Sequence, residues 1–419
     1  MTLNLTNFNP MIKEHYAPGP VVNMAFQKNK AMGLLAKRNR KPSGQGGGKY
    51  WVQPIQHSLP GGGSIDFATA LAASNNQSGY AAFQVTRKHH YRLSKVDNET
   101  IEATAEGDID AFEPAFDEFD KSIEAEGNYL NFRLFRDRGA SIGRMSNASF
   151  ATTVLTLDDP AGTWAVREGD VINLASTDGT SGSLRAGSLT VASVQRRAGT
   201  ITTTANISTG IAAAAANDYV FMAGDFSGGT TLGAASGFSD WIPDADPGAT
   251  AFYGVDRSVE PEMLGGLRVD GTGGQTVSEL LVDMIVQADN LGGDPDVVFA
   301  NPRALGTLTK QLDGKWVIMK GMGYGGKEAD IGYRGWQVML EGHEVTIFSD
   351  RCCQAKRLWM LQMDTWTMFS AGPAPNFLQK RAGSIIKVSE TSDSYEARVG
   401  EYYGFACKAP GHNVNGQLA

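Results

Sequence analysis

The segment GMGYGGKEAD, which begins at Gly321, has the glycine spacing of two phosphate-binding motifs. Gly321, Gly323 and Gly326 match the G-x-G-x-x-G pattern of a dinucleotide site, and Gly326 with Lys327 matches much of a P-loop. A P-loop requires Ser or Thr after the lysine, because that hydroxyl binds Mg²⁺. Here the residue is Glu328, whose negative charge would face the phosphates. The P-loop chemistry is therefore not supported.

The dinucleotide pattern fails for a different reason. It requires a helix that begins at the third glycine, but Gly332 and Gly335 follow too soon for a helix of useful length. A nucleotide-binding enzyme that uses the loop at 321–330 is kept only as a remote alternative. The main prediction is a glycine-rich loop without a phosphate ligand.

The other residue types that could do chemistry show no catalytic or metal-binding spacing. Cys352 and Cys353 are adjacent, no C-x-x-C pair exists, and no G-x-S-x-G elbow is present. The six histidines lack the spacing of a zinc site: His15, His57, His89, His90, His343 and His412. The sequence therefore predicts no catalytic, cofactor-binding or metal-binding residues, no cofactor and no enzymatic activity, with the three cysteines as reduced core thiols.

Composition limits the class of protein and its partners. The chain has 419 residues, 42% of them hydrophobic and 50 of them glycine, and no run approaches the ~18 apolar residues of a membrane span. The net charge of -8 argues against a dedicated nucleic-acid binder. Charge is nevertheless clustered, with basic residues around 28–41 and acidic residues around 108–126. Each cluster could meet a segment of opposite sign on another copy.

The N-terminal half predicts an extended arm, a long hairpin and a long helix. KYWVQPIQH at 49–57 and YAAFQVTRKHHYRLS at 80–94 have β-forming composition, and together they predict one hairpin with a tip at about 58–79. Such a hairpin is not stable alone, so it should lie against something else. Apolar residues then recur at helical spacing, which predicts a helix from Pro114 to Arg138.

The rest of the chain predicts an inserted β module, a helix, strand and helix unit, and a terminal sheet. Short strands and turns fill 150–224. Thr276 and Glu279 form a capping box before an apolar helical stripe, the strand DVVFAN follows, and Pro302 begins a second helix. Further strands continue to Pro410, after which we expect a polar tail. The fold class predicted from these elements is α+β.

The order of these elements resembles that of the major capsid proteins of tailed phages, which have the Hong Kong 97-type fold. The local sequence is similar as well, in YGVDRSVEPEMLGG at 253–266, in TVSELLVDMIVQADNLGGDPDVVFANPRALGTL at 276–308, and in the closing SYEARVGEYYGFACKAPGHN. The resemblance covers most of residues 48–412, and none of its motifs is a catalytic fingerprint.

The resemblance divides the chain into seven segments. They are an N-terminal arm at 1–47, an E-loop hairpin at 48–96, the spine helix of a peripheral domain at 97–149, the inserted β module at 150–224, a connecting segment of the peripheral domain at 225–275, an axial domain at about 276–345, and peripheral-domain strands with a C-terminal tail at 346–419.

The function implied is that of a shell protein, a major capsid protein of a tailed double-stranded DNA bacteriophage. Its copies would form the pentamers and hexamers of an icosahedral head, located in the virion and assembled in the cytoplasm of a bacterial host. The implied partners are a separate scaffolding protein, a portal, a decoration protein and packaged DNA held non-specifically on the inner face, with no membrane. The tip at 58–79 contains no lysine, so a covalent cross-link from it is not expected.

The shell interpretation selects two groups of residues. The candidate inter-subunit contacts are Lys37, Arg38, Arg40, Trp51, Phe83, Tyr91, Glu118 and Glu124. The candidate loop at the capsomer axis contains Gly321, Gly323, Gly325 and Gly326. The nearest alternative is an encapsulin-type bacterial compartment shell, which usually has a shorter chain and no large insertion.

Overall fold

The structure is a computed structural model. It describes residues 2–3, 29–39, 50–73, 75–98, 113–228, 233–312, 336–340, 342–378, 386–389 and 392–419. The helices are α1 Lys30–Leu34, α2 Phe67–Ala72, α3 Glu113–Leu134, α4 Ile207–Gly210, α5 Phe238–Trp241, α6 Pro261–Gly265, α7 Val277–Asn290 and α8 Pro302–Leu312. Short 3-10 helices lie at Pro160–Ala165, Arg257–Val259, Met363–Thr365 and Pro410–His412.

The strands are spread over the whole chain. They are β1 Thr2–Leu3, β2 Ala36–Asn39, β3 Tyr50–Ser58, β4 Gly79–Thr86, β5 Lys88–Asp97, β6 Gly143–Arg144, β7 Val154–Thr156, β8 Val171–Ala175, β9 Leu189–Gln195, β10 Thr200–Thr203, β11 Tyr219–Met222, β12 Leu267–Gly271, β13 Val297–Ala300, β14 Trp336–Leu340, β15 His343–Ser349, β16 Arg357–Leu361, β17 Trp366–Ser370, β18 Asn376–Phe377, β19 Ile386–Val388, β20 Ser394–Cys407 and β21 Val414–Leu418. This mixture of helices and strands confirms the α+β class.

Three sheets and one separate hairpin organise the strands. The first sheet has the order β1-β5-β20-β17-β2, and β18 and β19 also pair with β20. The second has the order β6-β11-β8-β9-β10-β7, and we call it the β module. All its strands except β6 lie within the segment 150–224, for which the sequence predicts short strands. The third has the order β12-β21-β16-β13-β15-β14. The hairpin is β3 paired with β4 in antiparallel register.

The predicted hairpin is present, but its return segment was wrongly assigned to a single strand. Only β4 pairs with β3, whereas β5 pairs with β20 in the first sheet, with His90 opposite Glu401. Strand β4 ends at Thr86, and the chain moves to the sheet at Arg87. Both strands have β-forming alternation, and that pattern does not specify which neighbour each one meets.

Helix α7 follows directly from its sequence. The Oγ1 atom of Thr276 accepts a hydrogen bond from the Glu279 backbone, and the Glu279 carboxylate accepts one from the Thr276 backbone at 2.8 Å, so the predicted capping box is present. One face of the helix, including Leu280 and Met284, is buried against the third sheet. The helix ends just before Gly292, whose positive φ of 72° suits glycine.

The predicted polar tail is wrong. Strand β21 lies inside the third sheet, parallel to β12 and antiparallel to β16. Asn413 and Asn415 are fully buried and hydrogen-bonded to the interior, because Asn413 accepts a hydrogen bond from the Trp366 indole and Asn415 donates one to Asp244. Their polar side chains cap interior groups of the fold, so polarity in this segment does not indicate exposure.

A large core joins the hairpin, the C-terminal half of α3, the β module and α5. Its aromatic centre contains Phe238, with Trp366 at 4.6 Å and Phe135 at 5.4 Å between ring centroids. Edge-to-face packing of this kind stabilises a core beyond its buried area. Within the described residues, no helix has both the length and the apolar character that crossing a membrane requires.

Candidate assembly surface

The base of the hairpin is anchored in the aromatic core. Trp51 stacks on Phe369 with ring centroids 5.7 Å apart, and Phe83 meets Trp241 edge to face at 5.0 Å. Phe83 is 0% exposed and also contacts the ring of Phe252. These contacts fix where the hairpin leaves the body of the protein.

Close backbone packing completes this anchor. A Cβ atom at Gly404 would lie 3.0 Å from Val85 and 3.1 Å from Trp51, so glycine lets β20 approach the hairpin. The backbone N–H of Gln84 donates to the carbonyl of Tyr253 at 2.9 Å. The base is thus held by both side chains and backbone.

The tip is organised by short-range hydrogen bonds. Asp66 caps α2 by accepting from the Thr69 backbone at 2.9 Å, and the Thr69 hydroxyl and backbone bonds hold the pKa of Asp66 below its usual value. The N–H of Gly61 donates to the carbonyl of Asn76 at 3.1 Å. In the described part of the chain, residues 56–80 hydrogen-bond only among themselves.

The tip carries a group of exposed apolar side chains, which we call the apolar tip. Its members are Leu59, Ile65, Phe67, Leu71 and Tyr80. Phe67 is 80% exposed and Leu59 is 78% exposed, and helix α2 buries none of its residues. Each such side chain stabilises a complex by ~1.5–3 kcal/mol when fully buried by a partner, before the costs of association. Large exposed apolar side chains that occur together are typical of interaction surfaces.

The structure separates the predicted inter-subunit residues. Trp51 and Phe83 are buried within their own chain, and Tyr91 is about half exposed, with its hydroxyl 3.4 Å from that of Tyr402. Lys37 and Arg38 lie on β2, which pairs with β17 of the same chain. In this conformation Tyr91 offers surface to a neighbour, whereas the two buried aromatic residues hold the hairpin base.

The remaining predicted contact residues are described only in part. Glu124 is half-buried on α3, and Glu118 lies on the same helix where only the backbone is described. Arg40 and the glycine loop at 321–330 lie outside the described residues. The apolar tip is not predicted from the sequence, because Leu59, Ile65 and Phe67 stand in a segment rich in glycine, serine and asparagine.

A titratable cluster lies where the first sheet meets α3. One donor atom from each of His90, Glu126 and Glu401 lies within 4.8 Å of the others, and both carboxylates are buried. A His and two carboxylates form a donor set that suits a divalent cation. However, Glu126 already contacts the His90 ring nitrogen and the Arg92 guanidinium, the latter at 3.3 Å. The arrangement therefore also works as an ion-pair network between sheet and helix.

The three cysteines are free and buried, as predicted. Burial raises the pKa of the Cys407 thiol to about 12, and burial also raises the pKa values of Cys352 and Cys353. Because the thiolate is the nucleophilic form, these thiols are inert at neutral pH. They contribute to packing.

No protein-family model and no curated protein sequence matches the chain. Among solved structures, the chain is similar to the capsid of Cyanophage A-1(L), with 12% identity, a TM-score of 0.49, and 98% of each chain covered. It is also similar to the capsid of a native GTA particle, with 8% identity, a TM-score of 0.46, and 99% of this chain and 98% of that chain covered. A third similarity is to the SrpI encapsulin of Synechococcus elongatus PCC 7942, with 7% identity, a TM-score of 0.45, and 100% and 96% covered.

Proposed function

We propose that this chain is the major capsid protein of a tailed double-stranded DNA bacteriophage. Copies would form the pentamers and hexamers of an icosahedral head in the virion. The observation that carries the proposal is the hairpin, whose base is packed into the core while its apolar tip is exposed in the part of the chain that the structure describes. A side-chain group of this kind is stabilised when it lies on another molecule. Identical copies supply that partner at every position of a shell.

The architecture supports a structural role for the chain. Helix α3 has 22 residues and is therefore ~33 Å long at 1.5 Å per residue, so it can span much of the subunit. Its polar residues meet the sheet in ion pairs such as those of Glu126. Rigid parts with a projecting hairpin suit a subunit that must contact several neighbours at once.

The implied partners follow from this role. A separate scaffolding protein and a portal would guide assembly, a decoration protein would bind the outside, and the packaged DNA would be held non-specifically. The candidate contacts Lys37, Arg38 and Arg40 would meet acidic residues of a neighbouring copy, such as Glu118 and Glu124. The glycine loop at 321–330 would lie at the capsomer axis, where Gly323 and Gly325 allow different backbone paths in five- and six-membered rings.

Electron microscopy of the purified chain tests the proposal, alone and with the products of its neighbouring genes. We expect rings of five or six subunits or hollow shells. A chain that remains a compact monomer at high protein concentration, with and without those gene products, would overturn the proposal. A chain that assembles only with a second gene product would identify that product as the scaffolding protein.

A further inference from the structure

Four arginine side chains from separate parts of the chain meet in one cleft, which we call the arginine cleft. Arg196 and Arg197 lie on the turn between β9 and β10, Arg303 lies at the start of α8, and Arg351 follows β15. The cleft has a volume of about 270 Å³, and Trp164 forms part of its wall. It lies where the β module meets the third sheet.

The indole of Trp164 holds two of these side chains. The guanidinium of Arg196 lies 5.0 Å from the centre of the indole ring, and that of Arg351 lies 4.6 Å from it. Stacking on an aromatic face fixes the plane of a guanidinium and leaves its edge N–H donors available. The Arg303 guanidinium donates a hydrogen bond to the backbone carbonyl of Arg197. This bond joins the start of α8 to the turn between β9 and β10.

The charge in the cleft is not balanced. Among the described residues, no carboxylate forms an ion pair with any of the four arginines. Asp350, which precedes Arg351, accepts hydrogen bonds from Asn131 and the backbone of Cys352. Asp159, next to Pro160, binds Arg136 at 2.9 Å and the backbone of Ala355. The Nε of Arg196 is buried and has no hydrogen-bond partner within the described residues. Burial, and then the neighbouring Arg167 and Arg351, lower the pKa of Arg196.

We propose that the arginine cleft is a binding site for a phosphate group. Four converging guanidinium groups supply more N–H donors than the two oxygens of a carboxylate can accept, whereas phosphate presents additional oxygens. The apolar parts of Pro160, Ala161 and Pro302 exclude some water from one side of the cleft and strengthen these interactions. The chain has a net charge of -8, so this local excess of positive charge is not a property of the whole surface.

Two sources can supply such a group, inorganic phosphate and the backbone of duplex DNA. Both are tested on the purified chain, so the result does not depend on whether it assembles into shells. Inorganic phosphate is titrated by isothermal calorimetry, and a labelled DNA duplex is titrated by fluorescence anisotropy at several salt concentrations. We expect binding of at least one probe. Tighter binding of the duplex would identify the DNA backbone as the source.

Two substitutions on the same helix give a matched comparison. Arg303→Gln removes a cleft charge, and Lys310→Gln removes an exposed charge ~10 Å further along α8, about one Debye length at physiological salt. We expect Arg303→Gln to weaken binding by about threefold or more, and to reduce the slope of log affinity against log salt by about 1 for the duplex. Lys310→Gln should leave both quantities nearly unchanged.

Three results would overturn the proposal. The first is no binding of either probe, and the second is equal weakening by both substitutions, which would indicate a diffuse surface effect. The third is a peptide of residues 108–126 that binds more tightly than both phosphate probes and loses that binding in Arg303→Gln, because the ligand would then be an acidic protein segment. The unfolding temperature of each variant shows that the fold is retained. Arg197→Gln, at an exposed position, serves as a second variant.

Discussion

The base and the tip of the hairpin have similar apolar content and opposite environments. At the base, Phe83 and Trp51 are enclosed by aromatic residues of their own chain. At the tip, Ile65 and Phe67 are exposed, and among the described residues their segment makes hydrogen bonds only within itself. A single chain thus encloses the base of this element, and we expect a partner to cover the tip.

The difference follows from what lies nearby in the fold. Strand β20, with Gly404, and the loop around Phe252 surround the base. Beyond Gln56 the hairpin leaves these elements. Stability of the subunit should therefore depend on the base, and association of subunits should depend on the tip.

Removal of the Phe83 ring tests the base most strongly. Phe83→Ala should lower the free energy of unfolding by about 3–5 kcal/mol, because it leaves a cavity against Trp241 and Phe252. Chemical denaturation measures the change. Tyr80→Ala on the same strand, where the side chain is exposed, should change stability by less than about 0.5 kcal/mol. Equal losses for both variants would contradict the division into base and tip.

Addition of one methyl group tests how tightly the base is packed. Gly404→Ala should cost about 1–3 kcal/mol, because its Cβ would crowd Val85 and Trp51. Gly306→Ala on α8 has open space around its Cβ and should be neutral or stabilise by about 0.5–1 kcal/mol. Thermal and chemical unfolding of both variants provide the measurement. If Gly404→Ala were as stable as the parent, β20 would not restrain the hairpin.

We expect Asp137, in the body of the protein, to make the stability of the fold depend on pH. Burial, and then the neighbouring Asp240 and Asp178, raise the pKa of Asp137 to about 7. The folded state then binds more protons than the unfolded state between the ordinary value of 3.8 and about 7, so stability should fall as pH rises through that window.

Denaturation at a series of pH values measures this dependence. Asp137→Asn should flatten it, and an amide oxygen can still accept the hydrogen bond from the Gly139 backbone that the carboxylate accepts at 3.0 Å. If the stability of Asp137→Asn depended on pH as strongly as that of the parent chain, Asp137 would not be the cause of the dependence.

Substitutions at the tip should change the stability of the chain least, and they should change its assembly most. The triple substitution Ile65→Ser, Phe67→Ser and Leu71→Ser should change the free energy of unfolding by less than about 0.5 kcal/mol, since these side chains are already exposed. It should abolish rings and shells in electron microscopy. Val259→Ser, at an isolated exposed position, is the control and should leave assembly intact.

Local signals in the sequence predicted local structure well. The capping box and apolar stripe specified α7, and the recurrence of apolar residues around Pro114 placed α3, because helices depend on contacts three and four residues apart. The hairpin was predicted for a similar reason, since its two strands are close in sequence. These elements need little information from the rest of the chain.

Pairing between distant segments could not be predicted in the same way. Strand β5 has an alternation that fits either the hairpin or the sheet, and β21 is short, polar and contains Gly416, so neither reveals its partner. The arginine cleft joins Arg196 with Arg351 from parts of the chain 155 positions apart in the printed sequence. The exposed tip was missed because exposure depends on the elements that fail to cover it.

The pairing of β5 with β20 also determines when the first sheet can form during synthesis of the chain. Tyr91 and Tyr402, which meet across these strands, are separated by 311 positions. At a synthesis rate of about 5–20 residues per second, β5 leaves the ribosome roughly 15–60 s before β20 exists. During that interval the hairpin can form, but the edge of β5 that pairs with β20 lacks its native neighbour. The newly made chain therefore passes through a long period in which a β-forming edge is open to other chains, and chaperones have that period in which to protect it.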